Sequence, residues 1–217
     1  MNAALRSWLP GRLLVLEGLD GSGKSTQAAR LAARLTEEGI DVVATREPSD
    51  GPVGRFLRSA LAGDVTLDDG SRLTPATIAA LFVADRADHR ARVMEPAFAR
   101  GAVVVCDRHV LSSLAYQGAE CDPAWVEALN AVFPQPDATV FLEIPPSHAL
   151  DRVQARADRP QLYDLPERQR AVAQRYHAAL ADLERSGGCV VRVDGSGAVD
   201  EVTDRIVAGL EGQTASA

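Results

Sequence analysis

Lysine is nearly missing from this 217-residue chain: Lys24 is the only one, and the other 22 basic side chains are all arginine. A bias that strong disfavours lysine generally, and its survival at position 24 supports, without proving, a role there for a compact, flexible point charge. Cysteine is scarce too. Cys106, Cys121 and Cys189 lie far apart, are odd in number and fall in no CxxC or Cys/His spacing, which argues against a disulfide framework and a zinc site and suits thiols in a reducing cytosol. Positive charge is not in excess either. A formal net charge of −7 speaks against a nucleic-acid partner bound by broad phosphate neutralisation, so any anion must be held locally. No apolar run is long enough to span a bilayer, and the N-terminal stretch sets Pro10 and Gly11 before a short apolar run with no cleavage-like site. The expectation is a cytoplasmic protein with no membrane partner. There is no internal repeat or low-complexity block.

What the sequence does contain is alternation. Apolar runs rich in Val and Leu at Leu13–Leu16, Val42–Ala44, Val103–Cys106, Thr139–Leu142 and Val190–Val193 read as short buried strands. Between them, helical periodicity predicts helices over Lys24–Glu38, Gly54–Leu61, Pro75–Ala99, Pro123–Val132, Ser147–Ala157, Glu167–Ser186 and Val199–Leu210. Near-continuous apolar strands alternating with helices predict a single α/β domain over residues 1–217, a three-layer α/β/α sandwich on a five-stranded parallel sheet. Its ligands should lie at the carboxyl ends of the strands. The arginine-rich stretch within 152–166 reads as a lid, and residues 211–217 as a frayed tail.

The solitary lysine stands in "LEGLDGSGKST". Gly18 to Ser25 match G-x-x-x-x-G-K-[ST] between a predicted strand and a predicted helix, the context a phosphate-binding P-loop requires. Glycines let the amides turn inward around phosphate oxygens, and the following helix offers unpaired N–H groups and its positive dipole end. Gly18, Gly21, Ser22, Gly23, Lys24, Ser25 and Thr26 are therefore candidate ATP ligands, with Lys24 reaching the β- and γ-phosphates and Ser25 ligating Mg²⁺. A P-loop alone does not name the reaction. Neither asparagine, Asn2 or Asn130, is followed by lysine, so the N-K-x-D element of GTPases is missing, and the chain is short for a motor; a small kinase remains.

Three further stretches narrow the reading. "VVVCDRHVLSSLAYQG" puts Asp107 and Arg108 at the end of a strand, and "TREPSDGPVGRFLR" does the same for Arg46, Glu47 and Pro48. "ALFVADRADH" places Phe82 and Arg86 at i and i+4, where an aromatic and a guanidinium can stack on a base and bond its carbonyl edge. From Leu13 to Leu210, the motifs EGLDGSGKST, REP, LFVADR and DRHxxSSLAYQ together resemble those of the thymidylate kinases, in order and in spacing.

The resemblance implies a P-loop fold with a lid, transfer of the ATP γ-phosphate to dTMP, a requirement for Mg²⁺, and a homodimer through helices that include Pro75–Ala99. Residue by residue, it implies that Asp20 lies near the acceptor sugar and the phosphate–metal region. It sets Phe82 on thymine, Arg86 at the base carbonyl, Arg108 on the acceptor phosphate and Arg46 at the mouth of the site. It also makes Ser112, Ser113, Tyr116 and Gln117 line the sugar and base, with Tyr116 excluding a 2′-hydroxyl, and gives Glu47-Pro48 a cis peptide. Asp20, Ser25 and Asp107 are the candidate metal residues. Family members carry a catalytic arginine in the P-loop or in the lid, and since Leu19, Asp20, Gly21 and Ser22 are not basic, the resemblance implies that the lid supplies it from Arg152, Arg156 and Arg159, the last two being favoured, with Tyr163 nearby. The chain departs from the family pattern at His109, at Ser49-Asp50-Gly51, at Asp164, at Arg168 and at Ala173. Those departures leave open a kinase for another pyrimidine nucleotide or a deoxynucleoside, or a nucleotide-binding homologue without turnover.

Overall fold

A computed structural model describes residues 1–155 and 166–214. The elements in order are helix α1 (Ala3–Trp8), strand β1 (Leu13–Gly18), α2 (Lys24–Glu37), β2 (Val42–Arg46), α3 (Pro52–Ala62), α4 (Pro75–His89), α5 (Glu95–Ala99) and β3 (Val103–Asp107). Then come α6 (Val110–Tyr116), α7 (Pro123–Asn130), β4 (Ala138–Glu143), α8 (Pro146–Gln154), α9 (Pro166–Arg185), β5 (Val190–Asp194) and α10 (Val199–Thr214). The five strands are all parallel in the order β2-β3-β1-β4-β5, as the apolar runs predict.

Both faces of the sheet are covered at its centre, which is why β1, β3 and β4 read as near-continuous apolar runs, whereas the edge strands β2 and β5 are only partly buried. Leu14 and Leu16 point one way, into a core with Leu31 and Leu35 of α2 and Ile206 and Leu210 of α10. Leu13 and Val15 point the other way, onto Met94 and Ala97, and further along that face Phe141 meets Tyr176 and Leu180 of α9. In α2 the buried Ala28, Leu31, Ala32 and Leu35 follow the i, i+3, i+4, i+7 pattern of one stripe. Each fully buried leucine contributes roughly 1.5–3 kcal/mol of transfer free energy.

The structure departs from expectation in four places. The long helix expected over Pro75–Ala99 widens into a π-turn at Arg90–Met94, where the Glu95 amide bonds back to the Arg90 carbonyl. Pro96 follows at once and has no N–H to continue an i→i−4 ladder, which accounts for the break in register. The short helices α1 and α6 carry too few turns to declare a period. The helix expected from Pro123 to Val132 ends at Asn130. At the C-terminus, α10 runs on to Thr214, into the stretch expected to fray, because Leu210 and its neighbours pack on the sheet.

Candidate active site

The carboxyl end of β1 runs straight into the P-loop. Gly18, Gly21 and Gly23 all have positive φ (147°, 85° and 97°), and a Cβ at Gly21 would overlap the carbonyl of Ala149, so this turn can be made only with glycine. Gly23 caps α2 and leaves the helix's first N–H groups facing the loop. Lys24 is buried, and its Nζ donates to the Leu19 carbonyl at 2.7 Å. Burial and the nearby Arg108 push its ammonium down to about 8, against the opposing pull of Asp20, Asp107 and Glu17. Ser22, also in the loop, has a buried hydroxyl with no hydrogen-bond partner.

Ser25 and Asp107 meet across the strand ends: Ser25 Oγ donates to Asp107 Oδ2 at 2.5 Å, while Asp107 Oδ1 is buried with no hydrogen-bond partner. A hydroxyl and a carboxylate with an unsatisfied oxygen form an oxygen donor set that fits a Mg²⁺ ion and its waters. Asp20, the third candidate metal residue, faces elsewhere. One carboxylate oxygen pairs with Arg108 and the other accepts from the Tyr116 hydroxyl at 2.9 Å. Burial would raise the Asp20 carboxyl, but Arg108 and Lys24 hold it below its ordinary value.

Beside the P-loop opens a cavity of about 390 Å³. Asp20, Pro48, Phe82, Arg108, Ser112, Tyr116 and Gln117 line it, seven of the residues singled out from the sequence. Arg108 has a φ of 74°, in the left-handed region, and its guanidinium lies 5.0 Å from the Tyr116 ring centroid. A non-glycine residue held there is strained, and such strain concentrates at functional sites. Burial works against the Arg108 charge, but Asp20 keeps the group well above its ordinary value. Gln117 Oε1 is buried without a partner.

Arg86 behaves differently from Phe82, although both lie on α4. It is fully buried and does not line the cavity. Its Nε donates to Glu47 Oε2 at 2.8 Å, Nη2 to Ser113 Oγ at 3.0 Å, and Nη1 to Asn130 Oδ1. Ser113 is thus turned to Arg86, away from the cavity. Burial would raise the Glu47 carboxyl; Arg86 and the neighbouring histidines hold it down to about 2. Arg46 lies on the surface, paired with Asp50 at 2.8 Å. The Glu47-Pro48 peptide is cis. Arg156, Arg159 and Tyr163 lie outside the described residues, as does Asp164.

The departures noted in the sequence differ in their surroundings. Arg168 pairs with Glu120 at 2.9 Å, Ser49 donates its amide and hydroxyl to Asp85, and His109 is buried with Nδ1 unpartnered. Burial lowers the His109 imidazole to about 4, so it is neutral near pH 7.

Sequence reasoning missed three residues. Arg58 lines the cavity with Leu61 and Ala62, at i, i+3 and i+4 of α3, and donates to the carbonyls of Pro48 (2.5 Å) and Ser49 (2.7 Å). That spacing was a usable signal once Pro48 had been chosen. Glu17, a lone carboxylate in an otherwise apolar strand, was another. Tyr176, on α9 and fully buried, gave none.

Known proteins resemble this chain in sequence over most of its length. A family model described as thymidylate kinase matches residues 16–206. The probable thymidylate kinase of Pyrococcus abyssi is 40% identical over 199 residues, covering 91% of this chain and 95% of that protein. The thymidylate kinase of Dinoroseobacter shibae is 39% identical over 208 residues (93% and 97%), and that of Akkermansia muciniphila 45% over 152 (69% and 70%). With a P-loop beside an arginine-bearing cavity, a family match over most of its length and relatives alike almost end to end, the chain belongs to the thymidylate kinase family.

Proposed function

We propose that the protein transfers the γ-phosphoryl group of ATP directly to the phosphate of dTMP, giving ADP and dTDP. The observation that carries this is the single cavity wall shared by the two halves of the site: Asp20 belongs to the P-loop and also lines the 390 Å³ cavity, so a nucleotide triphosphate and an acceptor would meet there. An acceptor phosphate oxygen bonds to the γ-phosphorus while the bond to the β,γ-bridging oxygen breaks. That acceptor is already an anion near neutral pH, so the protein's part is positioning and charge neutralisation rather than general-base chemistry.

Lys24 and the P-loop amides would hold the donor phosphates, and Arg108, with Arg58, the acceptor phosphate. Phe82 offers a face for the base, and the unpartnered Gln117 Oε1 can accept an N–H from it. Tyr116, fixed by Asp20, would leave no space for a 2′-hydroxyl. Arg86 acts from behind the cavity wall, and Arg46 at its mouth. Ser25 and Asp107 would hold Mg²⁺, which when bound supplies charge neutralisation on the phosphates. The catalytic arginine would come from Arg156 or Arg159, in a lid spanning about 152–166 of a single domain, with Tyr163 beside the acceptor.

No described helix is long and apolar enough to cross a membrane, and a cytoplasmic location suits a nucleotide-synthesis enzyme. A homodimer is supported by the exposed Ala76, Ala80, Ala84 and Ala87, one face of α4 without large or charged side chains, and sedimentation would test it. The function itself is tested by ADP release over a panel of acceptors. The highest kcat/KM should fall on dTMP, with dUMP, dCMP and the ribonucleotide of thymine well below; comparable use of dCMP would refute the base reading.

A further inference from the structure

Among the described residues helix α9 contributes none to the wall of the acceptor cavity, yet one of its side chains connects through Ser112 to the group that would grip the acceptor. Glu17 lies on the face of β1 shared with Val15 and is buried under α6 and α9. Its Oε1 accepts from the amides of His109 (2.8 Å) and Ser112 (3.2 Å). Its Oε2 accepts from the hydroxyls of Ser112 (2.6 Å) and Tyr176 (3.0 Å). The two hydroxyls are themselves 2.8 Å apart, and Arg108 Nη1 donates to Ser112 Oγ at 3.2 Å.

The proton directions follow from the chemistry of the groups. A guanidinium only donates, so Ser112 Oγ accepts from Arg108 and has one proton left to give. The 2.6 Å contact directs it to Glu17. Tyr176 then donates either to Ser112 Oγ, holding the hydroxyl on which Arg108 rests directly, or to Glu17 Oε2, the oxygen that Ser112 also bonds, holding it through that shared acceptor. A second contact runs beside the first. The Tyr176 ring meets Tyr116 edge-on, with centroids 6.0 Å apart and planes at 89°, and Tyr116 lies against Arg108.

We infer that the Tyr176 hydroxyl is a positioning group for the acceptor, setting the orientation of Arg108 through Ser112 and Glu17 and so making acceptor affinity depend on the seating of α9. The inference rests on Arg108 being the acceptor-phosphate ligand. Phenylalanine at 176 would keep every ring contact, with Tyr116 and with Phe141, and would lose only the hydroxyl. Tyr176→Phe therefore separates positioning from packing.

Steady-state kinetics with ATP and dTMP varied in turn should show the KM for dTMP rising about 5- to 20-fold in Tyr176→Phe, with the KM for ATP within about twofold of its original value. In a Ser112→Ala background the same change should raise the dTMP KM no further, because the link to Arg108 is already cut. An unchanged dTMP KM in Tyr176→Phe, or equal rises for both substrates, overturns the inference. Arg108→Ala is the control. If it alone damages dTMP use, the site reading stands without the α9 link; if it leaves dTMP use intact, the site reading fails and takes the inference with it. Should Tyr176→Phe not fold, Glu17→Gln replaces one acceptor oxygen facing the two hydroxyls by a donor and is expected to give the same split between the two KM values.

Discussion

Lys24 shows at the scale of one residue how burial prepares a charge for an anion. Its ammonium is enclosed and held against a loop carbonyl, so a phosphate would replace a neutral acceptor by a charged one. Lys24→Ala should lower kcat by roughly 100- to 1,000-fold, as expected for removing one preorganised electrostatic donor, and single-turnover transfer from labelled ATP measures it. Lys24→Arg should not restore the rate, because a planar fork does not fit where a point charge sits. The Glu47–Arg86 pair obeys a different logic. Both partners are almost fully buried, so Glu47→Gln leaves a guanidinium in the interior without its counter-charge and should cost about 3–5 kcal/mol in urea unfolding at pH 7. The Glu47 carboxyl sits at about 2 in the folded protein and at 4.5 unfolded, so the unfolded chain binds the proton first as pH falls. The stabilisation from this group is complete above 4.5 and lost as pH falls through 2, about 3 kcal/mol that Glu47→Gln should not lose over the same window.

The elements around the cavity are located by close backbone approaches. Gly54, in the first turn of α3, is the tightest: a Cβ there would overlap the Ser49 carbonyl and lie 2.6 Å from the Ser49 amide nitrogen and 2.7 Å from Asp85 Oδ1. Glycine to alanine within a helix ordinarily gains about 0.5–1 kcal/mol, but here overpacking wins, and Gly54→Ala should cost about 1–3 kcal/mol instead. Because α3 carries Arg58 and abuts the Pro48 loop, the variant should also raise the KM for dTMP while sparing that for ATP. Such approaches explain what the sequence could and could not reveal. All five strands were legible as short apolar runs, β1, β3 and β4 because burial on both faces writes them so, and the P-loop was legible too, because its chemistry is local. Helix α6 was not, because it starts immediately after a site strand and carries Ser112, Ser113 and Tyr116 where a periodic stripe would be. The two roles of Arg86 and Phe82 were not separable either. Their i, i+4 spacing puts both on one helix face, but only the surrounding elements decide that Phe82 meets the cavity while Arg86 turns to Glu47, Ser113 and Asn130.

Over the whole molecule, a net charge of −7 coexists with a site where Lys24, Arg58 and Arg108 are drawn together at the carboxyl edge of the sheet. The two halves of that site hang on different parts of one frame. The P-loop springs from central strand β1 and leads into α2, whereas the acceptor cavity is framed by α3, α4 and α6. A ligand that binds only the folded chain stabilises it by RT ln(1 + [L]/Kd), about 2.7 kcal/mol at 100 times Kd. For a chain of this length each kcal/mol raises the melting temperature by roughly 2–4 °C, so saturating dTMP alone should raise it by roughly 5–11 °C, and ATP with Mg²⁺ should give a shift of its own. Arg108→Ala should abolish most of the dTMP shift and leave the ATP shift in place, because Arg108 belongs to the cavity and not to the phosphate loop. Loss of both shifts together would mean that Arg108 holds the frame rather than the acceptor. Scanning calorimetry of the two proteins with each ligand separates these outcomes without reference to turnover.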